Sequence, residues 1–275
     1  MPEPSKGPER PSDPTSYKRW LEGTHEVDVG TPLKTRYEAV VAKARADFAG
    51  SALWQRITTS MADLDGEYRL QASYPLFLAP GAPQVFGKSF DSFLLKTYRR
   101  NVLENESWPE PPPGGWLLPD AWFSQLKDLV RTSFVVKYLD GVQFLAERLE
   151  GICSELGLES ELSFEARMEG HYAAHLCVRD DFQIPGEKWD TKTIPMTVEI
   201  QITTQLQEAI HRLLHNYYEA RRMQPEQEKS DWQWQYESDE FVANYLGHIL
   251  HYVEGMIMEV RTRQQAEEAD HKWLG

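Results

Sequence analysis

Met196-Thr197-Val198-Glu199-Ile200-Gln201-Ile202-Thr203-Thr204 alternates apolar and polar residues with a period of two, the pattern of a strand with one buried face. Val198, Ile200 and Ile202 point to one side, and Thr197, Glu199, Gln201 and Thr203 to the other. A carboxylate in the middle of such a strand is unfavourable unless it faces water, a cation or a ligand. Read alone, Glu199 is the solvated side of an edge strand, because glutamate is mostly exposed. Other segments of the chain supply what a catalytic carboxylate on a strand needs.

The 275 residues fit one large domain or one domain with appendages, and nine Trp, twelve Tyr and eleven Phe provide for a substantial core. Forty-three acidic against twenty-nine basic residues give a net charge of −14, which opposes non-specific nucleic-acid binding but leaves room for a local basic site. Cys153 and Cys177 lie in apolar contexts without CxxC spacing and read as buried thiols of a reducing compartment. No apolar run reaches transmembrane length, and the N-terminus is polar and proline-rich rather than a signal peptide. The expectation is a cytoplasmic protein with no membrane partner.

Residues 1–30 are rich in Pro, Ser, Gly and charge and are expected to be extended or disordered. Residues 31–84 read as a helical region, with Tyr37, Val40, Val41, Ala44, Phe48, Leu53, Trp54 and Ile57 near 3.6-residue spacing and a Pro- and Gly-punctuated loop from Ala72. Residues 85–222 form the core unit. It opens on Phe86-Gly-Lys-Ser-Phe-Asp-Ser-Phe-Leu-Leu-Lys-Thr-Tyr-Arg-Arg100, a glycine-containing loop running into a helix that Ser89 or Asp91 can cap. Ser92 and Lys96 share a helix face with Lys88 behind them, and Arg99 and Arg100 add charge. A helix N-terminus flanked by lysines suits a polyphosphate; the competing reading is a solvated basic face.

Trp108–Pro119 is a rigid, turn-rich insert. The segment from Lys127 to Val136 reads as a strand entered through Asp128, either turn chemistry or a metal ligand. A helix is expected over 140–156, then strands near 160–168 and 172–179 around the tight turn Glu169-Gly170-His171. His175, among buried-looking neighbours, fits a hydrogen-bonded core residue. Residues 205–222 look helical. They carry His211 and His215 four apart, a spacing that can bind zinc, but without the HExxH context metal is not expected there. Residues 223–275 comprise a charged linker and a long final helix suited to packing on the domain or to self-association.

A strand, helix and three further strands with an Asp on one strand and a Glu on another resemble nucleotidyltransferase-like folds. There, two carboxylates hold Mg²⁺ against a triphosphate. Over about residues 85–220 the chain resembles the RelA/SpoT-type synthetase domain family, whose members transfer pyrophosphate from ATP to a nucleotide 3′-hydroxyl. Four ordered pieces carry the resemblance: Lys88, Ser92 and Lys96; Asp128 in Lys-Asp-Leu-Val-Arg-Thr; Gly170-His171-Tyr172-Ala-Ala-His175; and Glu199-Ile-Gln-Ile-Thr-Thr. It departs from the family at Phe86, Ser133 and Thr203, where arginines are expected, and at Glu169 and His171, where the acceptor turn usually offers Asn and Tyr.

The resemblance implies an α/β (α+β) fold, a mixed sheet flanked by helices, with a helical N-terminal region and a long C-terminal helix. It implies Mg²⁺ on Asp128 and Glu199, with Glu199 sharing the metal or accepting the proton of the attacking hydroxyl. Lys88, Ser92, Lys96 and Arg131 would grip the ATP phosphates, and Glu169, His171, Tyr172, His175 and Gln201 would meet the acceptor. The chain looks like a small stand-alone alarmone synthetase of the stringent response, and three readings stand open. The acceptor is GDP or GTP; or the protein is a toxic variant, with a neutralising antitoxin, that modifies adenine nucleotides or the tRNA 3′ end through a basic patch of Arg99, Arg100, Arg221 and Arg222; or the domain binds a nucleotide without chemistry. Homo-oligomerisation is a further implied partnership.

Overall fold

The computed structural model describes residues 9–185, 191–222 and 232–273. Helices α1 (Pro14–His25), α2 (Thr31–Ala49) and α3 (Ala52–Ala72) lead into strand β1 (Val85–Gly87) and helix α4 (Phe90–Tyr98), which runs on through a π-helical turn to Leu103. Helix α5 (Pro119–Gln125), strand β2 (Val130–Val136), helix α6 (Leu139–Glu155) and strands β3 (Glu159–Ala166), β4 (Tyr172–Pro185) and β5 (Thr191–Thr204) follow. Helix α7 (Gln205–Arg222) and a long α8 (Asp239–Trp273) close the chain. The fold is mixed α/β: one five-stranded sheet flanked by helices.

The sheet order is β1-β2-β5-β4-β3. Only the β2–β5 pair is parallel; β1–β2, β4–β5 and β3–β4 are antiparallel. The Glu199 strand is therefore central, not an edge, which corrects the reading of Glu199 in isolation. Alternation then fixes two faces. Val130, Phe134, Leu176, Val178, Val198, Ile200 and Ile202 are all buried, whereas register aligns Phe86, Arg131, Glu199, Cys177 and Glu161 in a row on the opposite face, with Ser133, Gln201, His175 and Ser163 beside it.

The helical region from residue 31 is two helices, because Ser51 caps a new one after Gly50. Tyr37 of α2 stacks on Phe93 of α4 with ring centroids 4.4 Å apart, and Phe93 meets Trp122 of α5 edge-on at 4.5 Å.

The expected extended segment over 1–30 is helical from Pro14 to His25. Asp13 caps it through the Thr15 and Ser16 N–H groups, and Pro14 sits at its first position. Tyr17, Trp20 and Leu21 share its buried face, and Trp20 lies 5.3 Å from Trp108 and 5.0 Å from Trp116. The proline-rich insert is thus the surface on which α1 docks. Residues 1–8 and part of the charged linker lie outside the described residues.

Candidate functional site: the open face of the sheet

The loop from β1 to α4 and the turn before β2 are stitched together by backbone. The Lys88 N–H donates to the Leu129 carbonyl at 2.8 Å, and the Tyr37 hydroxyl donates to the Lys88 carbonyl at 3.0 Å. Ser89 caps α4 by accepting from the Ser92 N–H, settling the choice between Ser89 and Asp91. Asp128 lies in the turn two residues before β2, not on the strand itself.

Lys88 Nζ lies 2.9 Å from Asp128 Oδ2, and Lys96 Nζ lies 2.8 Å from Asp128 Oδ1. The Asp128 side chain is 13% exposed and that of Lys88 14%. Burial raises the Asp128 pKa, but the Lys96 and Lys88 ammonium groups overcome it and bring it down to about 2. Burial in turn lowers that of Lys88, and Asp128 opposes the shift. Ser92 is exposed on the same helix, and its N–H and hydroxyl both meet the Ser89 hydroxyl. Arg131 is exposed, is paired in register with Glu199, and forms no ion pair among the described residues. Phe86, where an arginine was expected, stands opposite Arg131 across β1–β2 and is half exposed.

Glu199 is tied to the other end of the face. Its Oε1 lies 2.9 Å from His175 Nδ1. His175 Nε2 lies 3.3 Å from Glu165 Oε2, and His171 Nε2 is 3.5 Å from Gln201 Nε2. Burial, then Arg167 and the neighbouring histidines, pushes the His171 pKa down to about 4, so its imidazole is neutral at physiological pH. His171 also faces His211 of α7, with rings 6.0 Å apart; the side chain of His215, like those of Arg221 and Arg222, lies outside the described residues. Cys177, beside Glu199, is partly exposed rather than buried; burial and then the Glu199 charge raise its thiol to about 11, which removes it as a nucleophile.

Two expected acceptor residues stand apart. Tyr172 alternates to the other face of β4, where its ring stacks on His251 of α8 at 3.6 Å and 2°, and its hydroxyl meets His248 Nδ1 at 2.8 Å. Glu169 is half-buried in the turn and makes no side-chain hydrogen bond among the described residues. The turn itself is pinned by α8. Gly170 has φ +76°, and a Cβ there would stand 2.5 Å from the Asn244 carbonyl oxygen and 3.0 Å from Gly247 Cα. Only glycine allows both the left-handed backbone and that approach.

Sequence reasoning missed Glu165, which joins His175 from β3, and the α8 residues His248, His251 and Arg261. Glu165 carried no distinguishing signal, since polar residues on alternating strands are usually solvated.

The site is thus an open polar face of a mixed sheet, with a lysine–aspartate cluster at one end and a histidine–glutamate cluster at the other. No protein-family model matches the chain, and no curated protein matches it by sequence. Among solved structures the chain is similar to small alarmone synthetase 1 from Bacillus subtilis, at 13% identity and TM-score 0.49, over 78% of this chain and 94% of that one. It is also similar to a GTP pyrophosphokinase family protein from Streptococcus pneumoniae, at 14% identity and TM-score 0.48, over 86% and 94%. The Bacillus enzyme bound to AMPCPP gives 13% identity and TM-score 0.48, over 86% and 100%. Among the described residues, no helix is long and apolar enough to cross a membrane.

Proposed function

We propose that the protein is an ATP-dependent pyrophosphokinase that transfers the β,γ-pyrophosphate of ATP to the 3′-hydroxyl of a nucleotide. The observation that carries this reading is the convergence of Lys88 and Lys96 on the carboxylate of Asp128, beside the start of α4 and in the turn that leads into β2 and so to Arg131 and its register partner Glu199. Two ammonium groups held ready, an exposed guanidinium and N–H groups at a helix start are the parts that a triphosphate needs.

The donor set also fits Mg²⁺. Each Asp128 oxygen already faces a cation, and Glu199 Oε2 has no hydrogen-bond donor among the described residues. With Lys88 and Lys96 drawn onto the ATP phosphates, Asp128 would be a hard-oxygen ligand, and Glu199 would share the metal through its free Oε2 or take the acceptor proton there. A bound Mg²⁺ there would neutralise phosphate charge during transfer.

The chain's own residues do the rest. Lys88, Lys96, the Ser92 hydroxyl and Arg131 hold the triphosphate. The acceptor 3′-oxygen attacks the β-phosphorus as its proton passes to Glu199 Oε2. The bond from the β-phosphorus to the α,β-bridging oxygen breaks, and AMP leaves with that oxygen. His175 donates to Glu199 Oε1 and fixes the direction in which Oε2 points.

GDP or GTP is the first acceptor to test. His171 and Glu169, where the family's guanine-reading turn has Tyr and Asn, favour adenine nucleotides or the tRNA 3′ end as a second reading. Incubation with Mg²⁺, γ-labelled ATP and each acceptor separates them. Label on the acceptor with release of AMP, lost in Glu199→Gln with the fold intact, is the expected result. Absence of both transfer and AMP release with every acceptor, while ATP still raises the melting temperature, would leave a nucleotide-binding module without chemistry.

A further inference from the structure

Glu165, His171 and His175 place one ligand atom each within 4.8 Å of one another. They come from three places, strand β3, the β3–β4 turn and strand β4, and meet on the open face. His175 Nε2 is buried and makes no hydrogen bond, yet it stands 3.3 Å from Glu165 Oε2. Its other nitrogen, Nδ1, is engaged by Glu199 at 2.9 Å. With the proton on Nδ1, the Nε2 lone pair points toward a carboxylate, an arrangement that requires a positive charge between them.

We infer that Glu165, His171 and His175 form a transition-metal site of the zinc type, distinct from the Asp128–Glu199 site. Two imidazoles and one carboxylate are a donor set for zinc and its first-row neighbours rather than for Mg²⁺. The outer partner is already present, because a metal-binding histidine usually donates its second N–H to a carboxylate, which fixes the tautomer and strengthens the ligand. Glu199 does this for His175.

The distances are close to those required. Tetrahedral zinc with ligands at about 2.1 Å sets the ligand atoms about 3.4 Å apart. The His175–Glu165 pair stands at 3.3 Å, and His171 closes with a side-chain swing on the order of 1 Å. Arg167 holds Glu165 Oε2 at 2.7 Å, so metal binding uses Oε1 or displaces that exposed guanidinium. Three protein ligands leave a coordination position for water or an anionic oxygen, as in zinc sites that act on a substrate.

The test uses the full-length protein without a histidine tag, stripped with EDTA and titrated with Zn²⁺ against a chromophoric chelator, with Co²⁺ as a spectroscopic substitute. One equivalent of zinc is expected, together with the visible spectrum of four- or five-coordinate cobalt. Glu165→Gln and His171→Asn should each weaken zinc binding ~100-fold or more, and Glu199→Gln, acting through His175, ~10-fold or more. Asp128→Asn should bind zinc like the parent while losing pyrophosphate transfer, so this inference and the proposed function fail separately. Melting curves of the metal-free variants that match the parent exclude misfolding. Zinc binding that is unchanged in both Glu165→Gln and His171→Asn, or absent from the parent, overturns the inference.

Discussion

The two ends of the open face are built differently. At the lysine–aspartate end, Lys88 from the loop before α4, Lys96 from α4 itself and Asp128 from the turn before β2 meet, two ammonium groups on one carboxylate. At the histidine–glutamate end, His171 and His175 gather Glu165 from β3, Gln201 from β5 and His211 from α7, and the turn carrying His171 is clamped by α8. The first cluster lies between residues 88 and 128, with the Lys88 backbone held by Tyr37 and Leu129; the second also needs contacts across 80 residues, such as His248 Nε2 with the Met168 carbonyl. The lysine–aspartate cluster is assembled from neighbouring segments, whereas the turn beside the histidines is held in place by a distant helix.

The largest expected effect lies at the lysine–aspartate end. Asp128→Asn removes the charge that both lysines face and an oxygen ligand proposed for Mg²⁺, so kcat should fall by ~10³-fold, about 4 kcal/mol in barrier. Steady-state AMP release measures it. A loss under ~10-fold would mean that the lysine–aspartate cluster supports the fold and not the chemistry.

This contrast also explains what could be read without the structure. The period-two run at Glu199 and the Lys88–Ser92–Lys96 spacing are local and were legible as strand and helix. The long last helix followed from the same kind of periodicity, and the mixed α/β architecture from the family resemblance of the ordered motifs. Central placement of β5 was hidden, because strand order is set by which elements return through α6, not by alternation within one strand. The face on which Tyr172 lies was also readable in principle, since it is one residue out of step with His171. The motif match drew both onto one surface, and the pleat separates them. Helix α1 escaped because proline and charge dominate its composition, while three apolar residues, Tyr17, Trp20 and Leu21, make its burial.

If the turn carrying His171 is clamped by α8, the anchor of that helix should matter next. Arg261 is 6% exposed. Its Nη1 lies 3.2 Å from Asp140 Oδ1, its Nη2 donates to the Ala72 carbonyl at 3.1 Å, and its guanidinium sits 4.5 Å from the centroids of both Tyr74 and Tyr138. Arg261→Ala leaves Asp140 and a carbonyl without this partner and should lower stability by about 3 kcal/mol, read from urea unfolding. An unchanged midpoint would show that α8 does not depend on the Arg261 anchor.

A pH titration compares the two ends without a substrate. The Asp128 pKa is depressed to about 2 from 3.8, so the stability it contributes is present above its unfolded value and is lost as pH falls from about 5 toward 2. The amount is roughly 2 kcal/mol. The difference in unfolding free energy between the parent and Asp128→Asn should shrink by that amount across this window. A constant difference would mean that the two lysines do not hold the carboxylate ionised.

The smallest effect is the sharpest probe of the clamp. Tyr172→Phe keeps the ring stacked on His251 and removes only the hydroxyl that meets His248. A neutral hydrogen bond of this kind contributes about 1 kcal/mol, so stability should fall by about that much. Because Tyr172 lies on the face away from His171 and His175, the acceptor KM should stay within about twofold, roughly 0.4 kcal/mol in binding. The two readouts answer different questions. A stability loss with an unchanged KM makes Tyr172 a strut between the turn and α8. A KM that rises tenfold or more, about 1.4 kcal/mol, would mean that α8 lifts away when the acceptor binds and that the stacked ring is handed from His251 to the nucleotide base.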